Sequence, residues 1–460
     1  MIRIFDQYVS VKRLLLMALE GILVAVALIC GAWLRFFDNP QEFQAYVKLP
    51  DFGFQTLFVV LVFQISFYYA EYYRSDGFRS RLEQFLCLGQ AVGGACFFLG
   101  VVYYLFPGLL IGRGVFFIST FLAVVLVAVN RVVLDRTWHV AASRERVLVM
   151  GTGDLAHTVA RELKRRGDLS VEFVGFYDPS EKGVEGEGPP PSLEAVALDT
   201  AATRIVVAME DRRGVLPVRQ LVTLRVQGVK VQDAHTVIAE LSGRVWLKTI
   251  QPSWFVFSEG FHRSRLTLGL KRAGDLVFAV VGLIIALPLM LLVALAVKLD
   301  SKGPVLYRQE RVGYRRRRFE VLKFRSMRTD AETNNQAQWA QQNDPRVTRI
   351  GGFLRTYRLD ELPQFINVIR GDMSFVGPRP ERPVFVDMLR KEISYYDERH
   401  SARPGLTGWA QVRYSYGATV EDSYRKLEYD LFYLKNMSLL FDCAIILETV
   451  RTVLTGRGAR

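Results

Sequence analysis

Cysteine and histidine are scarce in this chain. Of its 460 residues four are cysteines and five are histidines. Cys30, Cys87, Cys96 and Cys443 stand far apart in apolar stretches with no Cys-x-x-Cys pair, which excludes a zinc finger or dithiol redox centre; they read as small buried apolar groups. Only His400 lies beside a motif, and there a structural histidine fits better than a catalytic one. Disorder, collagen-like repeats and a small disulfide scaffold are excluded by a composition that is 50% hydrophobic and 12% aromatic. What is present is apolar and basic: mean hydropathy is +0.15, net charge +13 and pI about 9.6. That balance suits a membrane protein with an anionic partner, whether nucleic acid, phosphorylated metabolite or lipid headgroup, and charge alone does not choose among them. The length allows about three domains.

Four apolar stretches, roughly Leu14 to Leu34, Thr56 to Tyr73, Phe85 to Phe106 and Val115 to Val133, each approach the ~20 residues that cross a bilayer as a helix. They predict a four-helix transmembrane bundle over residues 1–138. The first run is too long, and lacks the small-residue cleavage site, for a removable signal peptide. Cations collect before it (Arg3, Lys12, Arg13), between the second and third (Arg74, Arg79, Arg81) and after the fourth (Arg131, Arg136, Arg144, Arg146), so both ends of the bundle are expected in the cytoplasm. A fifth stretch, Leu276 to Val297, has Lys271 and Arg272 before it, Lys298 and Lys302 after it, and Pro288 near its middle. Basic flanks on both sides and a helix-bending proline favour a re-entrant helix over 271–298, with a buried core helix or a true crossing as the alternatives.

Between these membrane segments, residues 139–250 read as a Rossmann-like parallel α/β domain, followed by a linker over 251–270. A strand over Arg146 to Met150 runs into the turn Gly151, Thr152, Gly153, then a helix through Arg165; Val171 to Tyr177 and Arg204 to Ala208 read as further strands. The glycines could admit a pyrophosphate and Asp178 a ribose hydroxyl. The plainer reading is a fold without catalysis, because a fold does not specify a function and no Tyr-x-x-x-Lys pair follows the turn.

Residues 271–460 carry the chemistry. Apolar and cationic residues alternate through Leu322, Lys323, Phe324 and Arg325, which places Lys323 and Arg325 on one face of a strand where, with Arg308 and Arg311, they could grip a diphosphate. The run Arg315 to Arg318 reads as a solvated face or a lipid-headgroup contact. Further on, Leu359, Asp360, Glu361, Leu362, Pro363 and Gln364 open a short amphipathic helix that Gly371 ends. Pro363 belongs in a first turn, so the helix is expected from about Asp360, with that carboxylate kept ionised at the positive dipole end; an ordinary N-cap is the alternative. Asp372 follows, and Pro378, Arg379, Pro380 make a rigid turn that presents one guanidinium. Three carboxylates and a fixed arginine beside a basic strand suit magnesium-assisted phosphoryl transfer.

Taken together, Ser301 to Met327, Asp344 to Gly351, Leu359 to Gln364, Gly371 to Glu381 and Arg403 to Val412 resemble the monotopic bacterial sugar-phosphate transferases, and the whole chain resembles the larger polyprenyl glycosylphosphotransferases of exopolysaccharide assembly. The resemblance implies transfer of a hexose 1-phosphate from a UDP-sugar to undecaprenyl phosphate with release of UMP, magnesium as cofactor, and a catalytic unit on the cytoplasmic face of the bacterial inner membrane. It implies Asp360 as nucleophile forming a phosphosugar ester, with Glu361, Asp372 and Asp360 around the metal. Arg379 is implied as a nucleotide or phosphate contact, with Lys323 and Arg325 as weaker candidates, and no nucleic-acid partner is implied. A homodimer is a further expectation from the resemblance. The sequence departs from the commoner pattern at Arg315 to Arg318, where a glycine usually loosens the turn. The carboxyl end, Tyr429 to Leu454, reads as an amphipathic helix near the bilayer. Two rival readings are a membrane-tethered nucleotide-sugar dehydratase or epimerase that uses the glycine turn, and a non-enzymatic assembly scaffold.

Overall fold

The computed structural model describes residues 2–4, 7–9, 11–73, 81–141, 145–165, 171–179, 191–209, 212, 215–250, 252–258, 260–261, 263–328, 346–414, 417 and 419–454. Of the expectations above, Arg74, Arg79, Arg144 and Asp344 fall outside them. The chain forms two compact units, residues 1–237 and 238–460.

In the first unit, helices Val11–Arg35, Phe52–Tyr69, Arg81–Leu105 and Arg113–Ala141 correspond to the four apolar stretches, each shifted by about a turn or less at its start. All four contain segments long and apolar enough to cross a membrane. Their outward faces carry exposed side chains such as Phe97, Phe117 and Phe121, while Val24, Phe63, Leu99 and Val127 fill the centre. Small residues let the first and last helices close up: a Cβ on Gly31 would stand 2.1 Å from Ser119 Oγ. A polar staple sits within this apolar packing. Arg131 pairs with the fully buried Glu20 at 3.7 Å and donates to the Tyr72 carbonyl at 2.7 Å, so the charge lost to solvent is matched between these helices.

The same unit carries a parallel sheet. Strand Glu145–Met150 lies between Val171–Tyr177 and Arg204–Val207, with Lys230–Asp233 beyond the latter. In order of sequence these strands lie 2-1-3-4, the doubly wound arrangement in which the first strand is flanked by the second and third; the dinucleotide-binding order would run 3-2-1-4. Gly151 has φ +115, and a Cβ there would meet the Ala208 carbonyl oxygen at 2.8 Å, so glycine is required for the turn itself. Asp178, the candidate ribose ligand, accepts a 2.7 Å hydrogen bond from Thr152 Oγ1.

The second unit begins earlier than the 271 boundary. Residues 243–247, assigned from sequence to the α/β domain, bond within this unit: Trp409 Nε1 donates to the Gly243 carbonyl, and Val245 and Leu247 N–H groups donate to Glu428. A helix of 36 residues, Arg265–Asp300, follows, with Pro288 inside it. Its N-terminal half packs through Ala279 against Val321, Val368 and Met373, and its C-terminal half through Val293 and Val297 against Phe324 and Leu354. Between these contacts Ile284, Ile285, Leu291 and Leu292 are exposed. An antiparallel hairpin, Leu306–Val312 with Arg318–Phe324, turns through Arg315 and Arg316, both left-handed at φ 50 and 62. Glycine or asparagine is the usual occupant of such turns, and here arginine holds both positions. Helix Arg349–Thr356, a 3-10 turn at Leu359–Glu361, helix Gln364–Arg370, and a parallel strand pair, Ser374–Val376 with Gly405–Thr407, complete the frame of the site. The carboxyl end is two helices, Val420–Asn436 and Leu439–Leu454, and the first has a buried face through Leu427, Leu431 and Leu434.

Candidate active site

Asp360 and Glu361 sit in the 3-10 turn Leu359–Glu361, which follows Arg358 in the left-handed conformation. Pro363 takes the N-cap position of the α-helix, so the helical path opens with a 3-10 turn and becomes α only at Gln364. Asp360 therefore lies four residues before the α-helix and does not cap it. The tighter turn arises because Pro363 has no N–H to donate. Leu359 and Leu362, on either side of the dyad, pack into the cluster around Val293, Val297 and Phe324, which fixes the turn against the long helix.

The two carboxyl groups are both buried, at 7% exposure each, and differ in their surroundings. Glu361 Oε1 takes Lys323 Nζ at 3.0 Å and Arg379 Nη2 at 2.5 Å. Burial opposes its charge, but the Arg379 and Lys323 cations outweigh that and hold the carboxyl well below the usual range. Asp360 has no hydrogen-bond or ion-pair partner among the described residues. Burial, opposed by the Lys323 charge and reinforced by that of Glu361, pushes its carboxyl up. The dipole-based expectation that Asp360 is held ionised is opposed by its burial, which pushes the carboxyl up.

The flanking segments explain why Lys323 and Arg379 converge there. Asn367, fully buried, accepts from Leu322 N–H at 2.9 Å and donates to the Glu320 carbonyl at 2.7 Å, stitching the short helix to the strand so that Lys323 falls beside the dyad. Gly371 ends that helix at φ 92 as expected, and Arg272 caps it by donating to the Val368 and Ile369 carbonyls. Lys271 bonds Asp442 at 2.6 Å and the Val376 carbonyl at 3.0 Å, and Asp275 accepts from Ser374 Oγ and Phe375 N–H. The N-terminal basic flank of the fifth apolar segment therefore anchors the long helix, Lys271 to the strand pair and Arg272 to the short helix Gln364–Arg370.

Other candidates from sequence are placed differently. Arg325 is buried and points its guanidinium at the end of the long helix, donating to the Ser301 carbonyl at 2.6 Å, the Lys302 carbonyl at 3.2 Å and Ser301 Oγ at 2.8 Å. It caps a helix whose last carbonyls need donors, and so does not share with Lys323 the role that strand alternation suggested. Arg308 is exposed and faces Glu320 at 3.6 Å, across the hairpin. Arg311 donates to the Pro380 carbonyl at 3.1 Å and to Gln309. Asp372 lies past the other end of helix Gln364–Arg370, whose seven residues span about 10 Å; it faces Asn367 at 3.5 Å and does not join the dyad. His400 is buried, and burial together with the Arg399 charge lowers its imidazole to about 4, a neutral structural histidine at pH 7.

No three Asp, Glu, His or Cys side chains among the described residues converge as a metal-ligand set. The three-carboxylate grouping of Asp360, Glu361 and Asp372 is accordingly reduced to the adjacent pair. That pair still fits magnesium, which takes hard oxygen ligands and commonly rests on one or two carboxylates, completing its shell with phosphate oxygens and water. Asp360 supplies an unshared carboxylate for this purpose.

Four related sequences or profiles share this region of the chain. The family profile described as bacterial sugar transferase matches residues 266–456, the segment that holds every residue of the site. The undecaprenyl-phosphate glucose phosphotransferase of Komagataeibacter xylinus is 30% identical over 452 residues, 94% of this chain and 82% of that protein. The UDP-glucose:undecaprenyl-phosphate glucose-1-phosphate transferase of Escherichia coli (strain K12) is 36% identical over 320 residues, 66% of this chain and 67% of that protein. The UDP-N-acetylgalactosamine-undecaprenyl-phosphate N-acetylgalactosaminephosphotransferase of Aeromonas hydrophila is 50% identical over 191 residues, and there the match spans 42% of this chain and 45% of the relative. With the dyad, its two cations and the membrane helices in one chain, this protein belongs to the bacterial sugar transferases, as a polyprenyl glycosylphosphotransferase.

Proposed function

We propose that the protein transfers a sugar 1-phosphate from a UDP-sugar to undecaprenyl phosphate and releases UMP, as the first membrane step of exopolysaccharide or another lipid-linked glycan. The observation that carries this reading is the asymmetry of the dyad: Glu361 is neutralised by Lys323 and Arg379, while the adjacent Asp360 carboxylate is buried and unshared. The names of the relatives supply the substrate class.

In the first half-reaction an oxygen of Asp360 attacks the sugar-bearing phosphorus. The bond from that phosphorus to the bridging oxygen breaks, UMP leaves with the electron pair, and a phosphosugar–aspartate ester remains. In the second, an oxygen of undecaprenyl phosphate attacks the same phosphorus and the carboxylate departs, restoring Asp360. Splitting the transfer lets one buried group meet a soluble and a lipid substrate in turn. Arg379 and Lys323 hold the positive charge that two phosphates require, and both can be shared between Glu361 and a substrate oxygen. Asp360 and Glu361 would hold a magnesium ion, which supplies further neutralisation of phosphate charge when bound.

Re-entry of helix Arg265–Asp300 belongs to the same reading. Its two halves pack on residues of one strand, Val321 and Phe324, while the segment around Pro288 is apolar and exposed. A straight helix of 36 residues would be about 54 Å long, and its basic ends would lie on opposite sides of a bilayer. Bending at Pro288 keeps both ends, and the nucleotide-sugar site, on the cytoplasmic face. The test is turnover by purified protein offered a panel of UDP-sugars with undecaprenyl phosphate and magnesium. At least one sugar should give metal-dependent UMP that Asp360→Asn abolishes; no UMP from any sugar would refute the proposal.

A further inference from the structure

The turn that carries Arg379 is held by an unusual number of outside donors. Four successive carbonyls each accept a hydrogen bond from a different place in the chain: Pro378 from Gly405 N–H at 2.9 Å, Arg379 from Arg399 Nη2 at 2.9 Å, Pro380 from Arg311 Nη1 at 3.1 Å and Glu381 from Val312 N–H at 2.9 Å. Two prolines fix φ on either side of Arg379. Two of the four donors are backbone groups of neighbouring strands, and a third, Arg311, is itself tied to Gln309 and Glu381. The fourth donor stands apart. Arg399 is a buried charge on the segment Tyr396–Ser401, and it grips the carbonyl of the very residue whose side chain reaches Glu361.

Such a charge cannot remain buried unless it is matched. The match comes from Asp430, on helix Val420–Asn436, 2.9 Å from Arg399 Nη2 and itself 2% exposed; Arg399 Nη1 also donates to Tyr396 Oη at 2.7 Å. A planar guanidinium can serve a carbonyl, a carboxylate and a phenol at once, which a lysine ammonium at the same place does only poorly. We propose that Arg399, anchored by Asp430, is a positioning residue that aims Arg379 at the Asp360–Glu361 dyad. The role rests on the phosphosugar-transfer reading of the site, but its geometric part does not. Arg399 touches neither carboxylate of the dyad; it acts through the backbone of Arg379, and misplacing that turn displaces a cation the reaction needs.

Two measurements on the full-length protein in nanodiscs test this. First, hydrogen exchange of the segment 374–382 in Arg399→Lys should quicken about 10-fold or more relative to wild type, while the segment 364–370 beside it keeps its wild-type rate. This readout needs no turnover, so it decides the geometric claim even if the transfer reaction fails. Second, if wild type releases UMP, Arg399→Lys should lower kcat about 10-fold or more, as small displacements of positioned groups do. In an Arg379→Ala background the same change should cost less than about twofold, because Arg399 would then have nothing to aim. Unchanged exchange over 374–382, or losses that multiply in the double variant, would overturn the proposal. Should Arg399→Lys not fold, Tyr396→Phe removes only the hydroxyl bound to Arg399 Nη1 and carries the same two expectations at smaller size.

Discussion

Arg379 Nη2 stands 2.5 Å from Glu361 Oε1, so the arginine of the Pro-Arg-Pro turn is paired with the second carboxylate of the dyad. With Lys323 at 3.0 Å on the same oxygen, Glu361 carries both cations of the site, while Asp360, the proposed nucleophile, carries neither. Replacing Glu361 by Gln would leave two half-buried cations without their shared carboxylate. The expected cost is about 3 kcal/mol of folding stability together with a fall in kcat of about 100-fold or more, read by thermal unfolding and UMP release.

The dyad's opposed titrations give a pH signature. Glu361, held low in the folded state, contributes stability that is present above its unfolded value and is lost as pH falls through its folded value. Asp360, pushed up by burial, works in the other direction: its contribution is full below the unfolded value and is lost as pH rises through the folded one. Asp360→Asn should therefore stabilise the protein at pH 7, by about 1 kcal/mol or more, since it removes a buried charge without a partner. The gap to wild type should close as pH is lowered below the ordinary aspartate range. A variant less stable than wild type at pH 7 would contradict the account.

Arg325 tests which cations serve substrate. As a cap on the long helix it should behave structurally: Arg325→Met is expected to lower stability by about 2–3 kcal/mol, for loss of several charge-assisted hydrogen bonds, and to leave the KM for UDP-sugar within about twofold in the protein that remains folded. A large rise in KM without loss of stability would return Arg325 to the phosphate site.

Much of this site was legible in the sequence, but unevenly. The dyad, the Pro-Arg-Pro turn, the stop at Gly371 and the apolar helices follow from local pattern, because caps, turns and periodicity act over a few residues. The partners of each cation do not. Lys323 lies in strand Arg318–Phe324 and Arg325 one residue past its end, yet Arg325 bonds the end of a helix 24 residues upstream while Lys323 pairs with Glu361, 38 residues downstream. Asp372 is near Asp360 in sequence and separated from it by the helix between them. Asn367 and Arg399 gave no signal, since buried polar residues that hold other segments in place show themselves only through long-range contacts. Asp430 gave one hint, as a charge within the apolar face of its helix.

Re-entry predicts the sidedness of both helix ends. In a background without the four native cysteines, Arg265→Cys and Lys302→Cys should both react with a membrane-impermeant maleimide in inside-out vesicles and neither in right-side-out spheroplasts. Labelling of the two from opposite sides would mean that helix Arg265–Asp300 crosses the bilayer.

The most direct test of the central claim is the mass of the enzyme itself. Incubated with its UDP-sugar and magnesium but without undecaprenyl phosphate, then quenched in acid, the protein should gain one hexose phosphate on the peptide that contains Asp360, with one UMP released per site and no adduct in Asp360→Asn. A burst of UMP without any adduct, or an adduct on another residue, would contradict the assignment of Asp360 as the nucleophile.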